Sequence, residues 1–334
     1  MNMQLPLRFF HKFSRARPII KIKLVFRRLE VYHIIFLFCT CVFAVCLEIL
    51  FFRLVILPGQ SDAAATEARS LYRNPAISSS APQSSPEPQS SIALSSAVSS
   101  TPDALSFSEL KAINPDVEGW ITIPGTMIDY PVLRAPASSP DYYLTHDWEH
   151  NATKYGSIYL YTPSSKASVK QKNTILYGHS MKDGRMFADL LQYDNLTYYR
   201  LHPAFLYQDS GSKANWKIFA VIKTNTDPAQ GPLFDYQKTR FASTHDFLKY
   251  LYEVRIRSIL NIPVDLKTSD DILMLSTCSY EFDGFRTVIC ARRVRLGEGT
   301  DVDTAKAEMN NEVLYPDCWY KKFCGEKPSL PNFQ

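Results

Sequence analysis

From Val31 to Leu47 the chain is apolar except for His33 and Thr40, and after Glu48 the run resumes as Ile49-Leu50-Phe51-Phe52 before Arg53. With its flanks, this stretch reaches the roughly 20 residues that a bilayer-spanning helix needs. Such a segment cannot contribute to a water-soluble core, so any folded domain must be built from the residues C-terminal to it. Arg8, Lys12, Arg15, Arg17, Lys21, Lys23, Arg27 and Arg28 precede the run with no acidic residue before Glu30, whereas the far flank offers only Arg53 before Asp62. The positive-inside bias therefore puts residues 1–28 in the cytoplasm, a single-pass anchor over 29–57 and the rest of the chain outside the cell membrane. A cleaved secretory signal is the rival reading. The long basic region, the length of the apolar run, and Glu48 and Arg53 ahead of Ala63-Ala64-Ala65 all favour a retained anchor.

Residues 58–105 are rich in Ser, Ala, Pro and Gln and nearly free of aromatics after Tyr72. That composition buries too little apolar surface to offset ordering entropy, and it reads as a flexible stalk. Residues 106–297, rich in Tyr, Phe, Ile and Leu, are long enough for one core. Residues 298–334 form a C-terminal extension to which the sequence assigns no role. The net charge of +4 owes much to the basic N-terminus, so nothing argues for a nucleic-acid partner. Cys39, Cys41 and Cys46 lie in the apolar run as small hydrophobes. Cys318 and Cys324 can pair in an oxidising exterior, although two cysteines make no disulfide framework.

Short apolar or alternating runs predict strands at Gly119–Ile123, Ile128–Leu133, Gly156–Tyr161, Asn173–Tyr177, Trp216–Lys223, Ile272–Thr277 and Thr287–Leu296. Turn signals separate them, among them Pro124-Gly125, Lys182-Asp183-Gly184 and Asp283-Gly284. So many short strands without regularly alternating helices predict a mainly β fold, a closed or nearly closed barrel. Phe241, Phe247, Leu248, Leu251 and Val254 recur at helical spacing, and Ser243 with Asp246 resembles a capping box, so a helix is inserted before the Ile272 strand. Shorter helical segments are expected at Met186–Tyr193 and at Phe107–Ile113, the latter leading onto the barrel.

The apolar strand Ile272-Leu273-Met274-Leu275-Ser276-Thr277 ends at Cys278. A thiol where a buried strand emerges has a fixed backbone and an accessible side chain, as a nucleophile requires. If the next strand returns around Asp283-Gly284 in a symmetric loop centred on Phe282, Cys278 faces Arg286 on the same side of the pair. A bulge would make Arg292 or Arg293 the rival cation, although both read as ordinary solvated positions. Asn173-Thr174-Ile175-Leu176-Tyr177-Gly178-His179 repeats the design, delivering an imidazole past a permissive glycine. Histidine trades protons near neutral pH, and a nearby cation favours thiolate over thiol.

Leu275-Ser276-Thr277-Cys278 with Arg286 eight residues on, preceded by Leu176-Tyr177-Gly178-His179, resembles the sortase signature. Gly119-Trp120-Ile121, Ile128-Asp129-Tyr130-Pro131-Val132, Lys154-Tyr155-Gly156-Ser157-Ile158, the Ser180-Met181 continuation and the helix at 243–254 are similar to the class B branch. The likeness covers about 107–296 and leaves out the stalk and the tail. It implies a closed β-barrel with N-terminal helices and a helix inserted before the nucleophile strand. It also implies a cysteine transpeptidase that needs no cofactor or metal. In that scheme Cys278 attacks a Thr carbonyl in the C-terminal sorting motif of a secreted protein and forms a thioacyl intermediate. His179 protonates the departing amine and deprotonates the incoming one, and Arg286 stabilises the oxyanion. The acceptor is an amine of a cell-wall precursor or a pilin, and the lipid bilayer is the remaining partner. The alternatives are a cysteine hydrolase that uses the same residues without transfer, and a stalked adhesion or assembly module with an incidental thiol.

Other signals carry less. His146-Asp147-Trp148-Glu149-His150 matches H-x-x-E-H, but that zinc pattern requires a helix, and these residues are expected in a connecting loop. His202 and His245 read as structural residues, Ser276 and Thr277 as polar supports around the thiol, and Cys290 as a packed thiol. Tyr142, Tyr143, Tyr198, Tyr199 and Trp216 read as fold stabilisation.

Overall fold

The computed structural model describes residues 18–73, 107–161, 171–209, 211–329, 331 and 333, and divides the chain into two compact units, Met1–Gln60 and Ser61–Gln334. In the first unit the helix α1, Pro18–Phe51, contains a segment, Tyr32–Phe51, that is long and apolar enough to cross a membrane. The described side chains from Tyr32 to Phe52 are all exposed. Thr40, a polar residue inside this segment, donates its hydroxyl to the carbonyls of Leu37 and Phe36 one turn back, the arrangement that satisfies a hydroxyl without water.

A second helix, α2 (Leu57–Arg73), continues into the second unit and differs from the expected stalk, whose remaining residues, 74–105, lie outside those described. Within the second unit Ala64, Ala68 and Tyr72 are buried. The two alanines let the helix backbone approach closely: Trp148 donates its indole N–H to the Ala64 carbonyl at 2.9 Å, and Tyr72 stacks on Trp120 at 4.2 Å. Asp129 accepts from Arg73 at 2.6 Å, and its carbonyl accepts from Arg69. A polar composition conceals these contacts because each partner lies far away in the sequence.

After α3 (Ser108–Ile113) the strands are β1 (Val117–Thr122), β2 (Asp129–Arg134), β3 (Ile158–Leu160) and β4 (Asn173–Tyr177). The 3-10 turn Ala188–Asp194 leads to α4 (Leu196–Leu201), β5 (Ala204–Asp209) and β6 (Lys213–Thr224). Then come α5 (Thr244–Arg255), β7 (Leu260–Asn261), β8 (Ile272–Cys278), β9 (Arg286–Arg293), β10 (Glu308–Met309) and α6 (Asp317–Phe323). Eight strands close a barrel in the order β1-β2-β3-β4-β8-β9-β6-β5, and β7 pairs with β10 separately. The β2–β3 and β4–β8 pairs are parallel and the others antiparallel. Closure leaves the barrel without open edges. The Ser243 hydroxyl caps α5 by accepting from the Asp246 N–H at 3.1 Å, and α5 buries Phe247, Leu251 and Val254 as its spacing predicted, together with Tyr250, while Leu248 is only half-buried. β5 was not expected from the sequence.

Candidate active site

The walls of β8 are apolar, with Ile272 to Leu275 at most 1% exposed, and only the last residue, Cys278, is half-buried at the rim. The β8–β9 ladder runs without a bulge from Ile272↔Arg292 to Cys278↔Arg286, the register that a symmetric loop implies. Gly284 makes the turn at φ +73°, where a side chain would be strained, and its carbonyl accepts from the Thr226 hydroxyl at 2.8 Å. Arg286 directs Nη1 to the sulfur of Cys278 at 3.1 Å and to the Phe285 carbonyl at 3.2 Å. That carbonyl also accepts from the Ser279 N–H at 2.9 Å, which joins both ends of the loop.

β4 runs parallel to β8 with Tyr177 opposite Ser276, so both strands leave the barrel at the same end. Beyond the ladder the Gly178 N–H donates to the Ser276 carbonyl, and the Thr277 hydroxyl donates to the Gly178 carbonyl at 2.8 Å. The next residue on each strand is His179 and Cys278. The Gly178 backbone is not in the left-handed region; space is what makes glycine necessary here. A Cβ would sit 2.3 Å from Ile158 Cδ1 and 2.8 Å from Phe187 Cδ2. The imidazole of His179 donates from Nε2 to the Leu144 carbonyl at 2.8 Å, which fixes the ring and leaves Nδ1 outside that bond. The Leu144 segment is itself held, because the Ser157 N–H donates to the Tyr143 carbonyl and Gly156 turns at φ +59° against the same stretch. Tyr280 donates its hydroxyl to the Ser180 carbonyl at 2.7 Å and ties the cysteine loop to the histidine loop.

Three tyrosines that the sequence pattern did not single out stand behind the thiol. Tyr159 and Tyr177 are partners across β3–β4; Tyr177 and Tyr236 share a hydroxyl contact at 3.3 Å, and Tyr236 meets the Ser276 hydroxyl at 3.1 Å. Burial pushes the phenols of Tyr159 and Tyr177 far above their ordinary range, so this wall stays neutral beside the cation and the thiol. The alternation of Tyr159 and Tyr161 along a short strand was the available signal.

The rival cations lie elsewhere. Arg292 faces Ile272 at the opposite end of the strand pair and, contrary to the expectation of a solvated position, is 1% exposed. Its guanidinium pairs with Asp265 at 2.9 Å and with Glu298 at 2.7 Å, which explains how a charge tolerates burial. Arg293 is half-buried beside it. His146 stacks on Tyr142 at 3.9 Å in a loop closed by the His146↔Ala152 bridge, not in the helix the zinc pattern needs. Cys290 is fully buried, and desolvation pushes its thiol far up. Cys318 and Cys324 are both free thiols.

Residues 121–294 match the family described as the sortase domain. Sortase B of Listeria monocytogenes is 39% identical over 175 residues, spanning 52% of this chain and 68% of that protein. The crystal structure of sortase B from Bacillus anthracis superposes with a TM-score of 0.55 at 27% identity, covering 72% of this chain and all of that one. The Staphylococcus aureus sortase B–substrate complex gives a TM-score of 0.50 at 30% identity, over 57% of this chain and 85% of that one.

Proposed function

This chain belongs to the sortase family, and on that premise we propose that Cys278, His179 and Arg286 are its catalytic residues and that it works at the outer face of the cell membrane. It is a class B cysteine transpeptidase that cleaves a C-terminal sorting motif through a thioacyl intermediate and transfers the acyl group to an amine. The observation that carries the residue assignment is the 3.1 Å contact from Arg286 to the Cys278 sulfur at a rim that His179 reaches on the parallel strand.

In the first half-reaction the Cys278 thiol gives its proton to His179, the sulfur forms a bond to the scissile carbonyl carbon and the electron pair moves to oxygen, facing the Arg286 guanidinium. Collapse breaks the C–N bond, and a proton from His179 leaves with the amine. In the second half the acceptor nitrogen attacks the thioester and gives its proton to His179. The C–S bond then breaks, releasing an amide, and His179 returns the proton to the sulfur. No electrons are gained or lost, so residues of this chain suffice for every step. The acceptor is the amine of a cell-wall precursor. Tyr32–Phe51 anchors the protein with residues 1–28 in the cytoplasm, which holds the catalytic domain where such precursors are exposed.

The test is Cys278→Ala in the full chain, with products identified by mass spectrometry with and without an added amine. The variant should make no product and keep its unfolding temperature, since the substitution removes a half-buried sulfur and little packing. Full activity would overturn the nucleophile assignment. Identical hydrolysis products with and without the amine would favour a hydrolase over a transferase.

A further inference from the structure

Residues 298–334 lie beyond the sortase-domain match, yet they are bonded back onto the barrel. Arg200 donates to the carbonyls of Thr304 and Ala307, the Asn310 N–H to Ile259 and the Leu314 N–H to Ile256, while Ala307 and Val313 are buried. These bonds deliver α6 to the back of the loop that joins Cys278 to Arg286. Trp319 lies nearly parallel to the fully buried Phe285 ring at 6.3 Å, and itself stacks on Tyr315 at 4.1 Å. Phe323 meets Phe282 edge-on, and Lys322 sits 4.6 Å over the Phe282 ring while donating to the Glu281 carbonyl at 2.7 Å. The start of α6 packs against Gly231, where a Cβ would come within 2.7 Å of the Asp317 nitrogen. Gln230, beside Gly231, donates to the Asp283 carbonyl.

We infer that α6 is a clamp on the catalytic loop and that Trp319 and Lys322 are positioning residues for Arg286. The route is short. Trp319 fixes the Phe285 ring, and the Phe285 carbonyl accepts both from Arg286 Nη1 and from the N–H of Ser279, the neighbour of Cys278. A shift of Phe285 therefore moves the guanidinium and the thiol relative to each other, and a misplacement of about 1 Å can cost catalysis up to about 100-fold. The inference rests on the proposed catalytic role of Arg286.

The experiment uses the full chain in detergent micelles with two probes. One is iodoacetamide, with alkylation of Cys278 followed by mass spectrometry. The other is an internally quenched peptide carrying the sorting motif of a co-encoded secreted protein. Trp319→Ala should slow both Cys278 alkylation and kcat by about tenfold with KM nearly unchanged, and Trp319→Phe should restore most of each. Lys322→Met, which removes one hydrogen bond and the cation over the Phe282 ring but little packing, should act in the same direction more weakly. Val313→Ala removes packing from the same extension away from the loop; it should lower the unfolding temperature and leave kcat alone. Combined with Arg286→Lys, Trp319→Ala should cost less than the product of the separate losses. Normal kcat and alkylation in Trp319→Ala and Lys322→Met, beside a crippled Arg286→Ala, would overturn the clamp. So would equal losses in Val313→Ala. An active Arg286→Ala would overturn the Arg286 assignment itself, and with it the route through Phe285.

Discussion

Removing the Arg286 guanidinium separates chemistry from folding. The group is half-buried at the rim and makes two contacts, to the Cys278 sulfur and the Phe285 carbonyl. That carbonyl keeps the Ser279 N–H when Arg286 is lost, so no buried acceptor is orphaned and the structural cost of Arg286→Ala is small. In the role proposed for it, Arg286 is one preorganised oxyanion donor, and its loss should cost about 100- to 1,000-fold in kcat, or roughly 2.7–4 kcal/mol. Lysine should recover little of it, because its compact ammonium on a differently shaped stem does not place a donor where Nη1 sits between the sulfur and the carbonyl. Single-turnover kinetics of thioacyl formation, read beside thermal unfolding, give the two costs independently. Arg293→Ala is the appropriate comparison and should stay within several-fold of the parent. Arg292→Ala is not a control: losing a buried cation strips Asp265 and Glu298 of a partner, and any loss of turnover would stem from instability. The reasoning fails if Arg286→Ala turns over normally while Arg293→Ala is crippled with an unchanged unfolding temperature.

Gly178→Ala forces a methyl group against Ile158 and Phe187, and should destabilise the domain by about 1–3 kcal/mol while displacing His179; a normal unfolding temperature and kcat would refute the steric argument. Hydrogen bonds from Arg292 and Lys217 hold the Glu298 carboxyl well below the ordinary carboxylate range, so its contribution to stability is present above the unfolded-state value of roughly 4.5 and is lost as pH falls below it. Urea midpoints of Glu298→Gln should accordingly lie below the parent near neutrality and converge with it in acid, and parallel curves would contradict this. External protease on intact cells should release fragments that begin after residue 57 while residues 1–28 stay protected. Digestion of the basic N-terminus instead would reverse the proposed orientation.

The parts of the fold legible in the sequence were those set by local rules. Asp283-Gly284 and equal flanks specify a hairpin, so the pairing of Cys278 with Arg286 was readable from spacing, and Ser243 with Asp246 marked the start of α5 to within a residue. What escaped depends on partners brought together only by closure. Arg292 looks solvated until Asp265, 27 positions away, folds beside it. The alanines of α2 look like stalk residues until Trp120 and Trp148 supply a surface to receive them. β5 was hidden by the adjoining His202-Pro203, and the C-terminal extension offered no periodic pattern that would have tied Trp319 to Phe285.

The parallel pairing of β4 with β8 also governs when the enzyme comes into being. The hydrogen bond from Thr277 to Gly178 spans 99 positions, and no local segment can form it ahead of the rest. Contacts of such separation are made late, because loop closure must be completed before they repay its entropy. Until β4 and β8 have paired, the Cys278 thiol and the His179 imidazole are held apart. With the catalytic roles proposed for Cys278 and His179, closure of the barrel is then what brings the two reacting groups to one rim, and an unclosed chain lacks that rim.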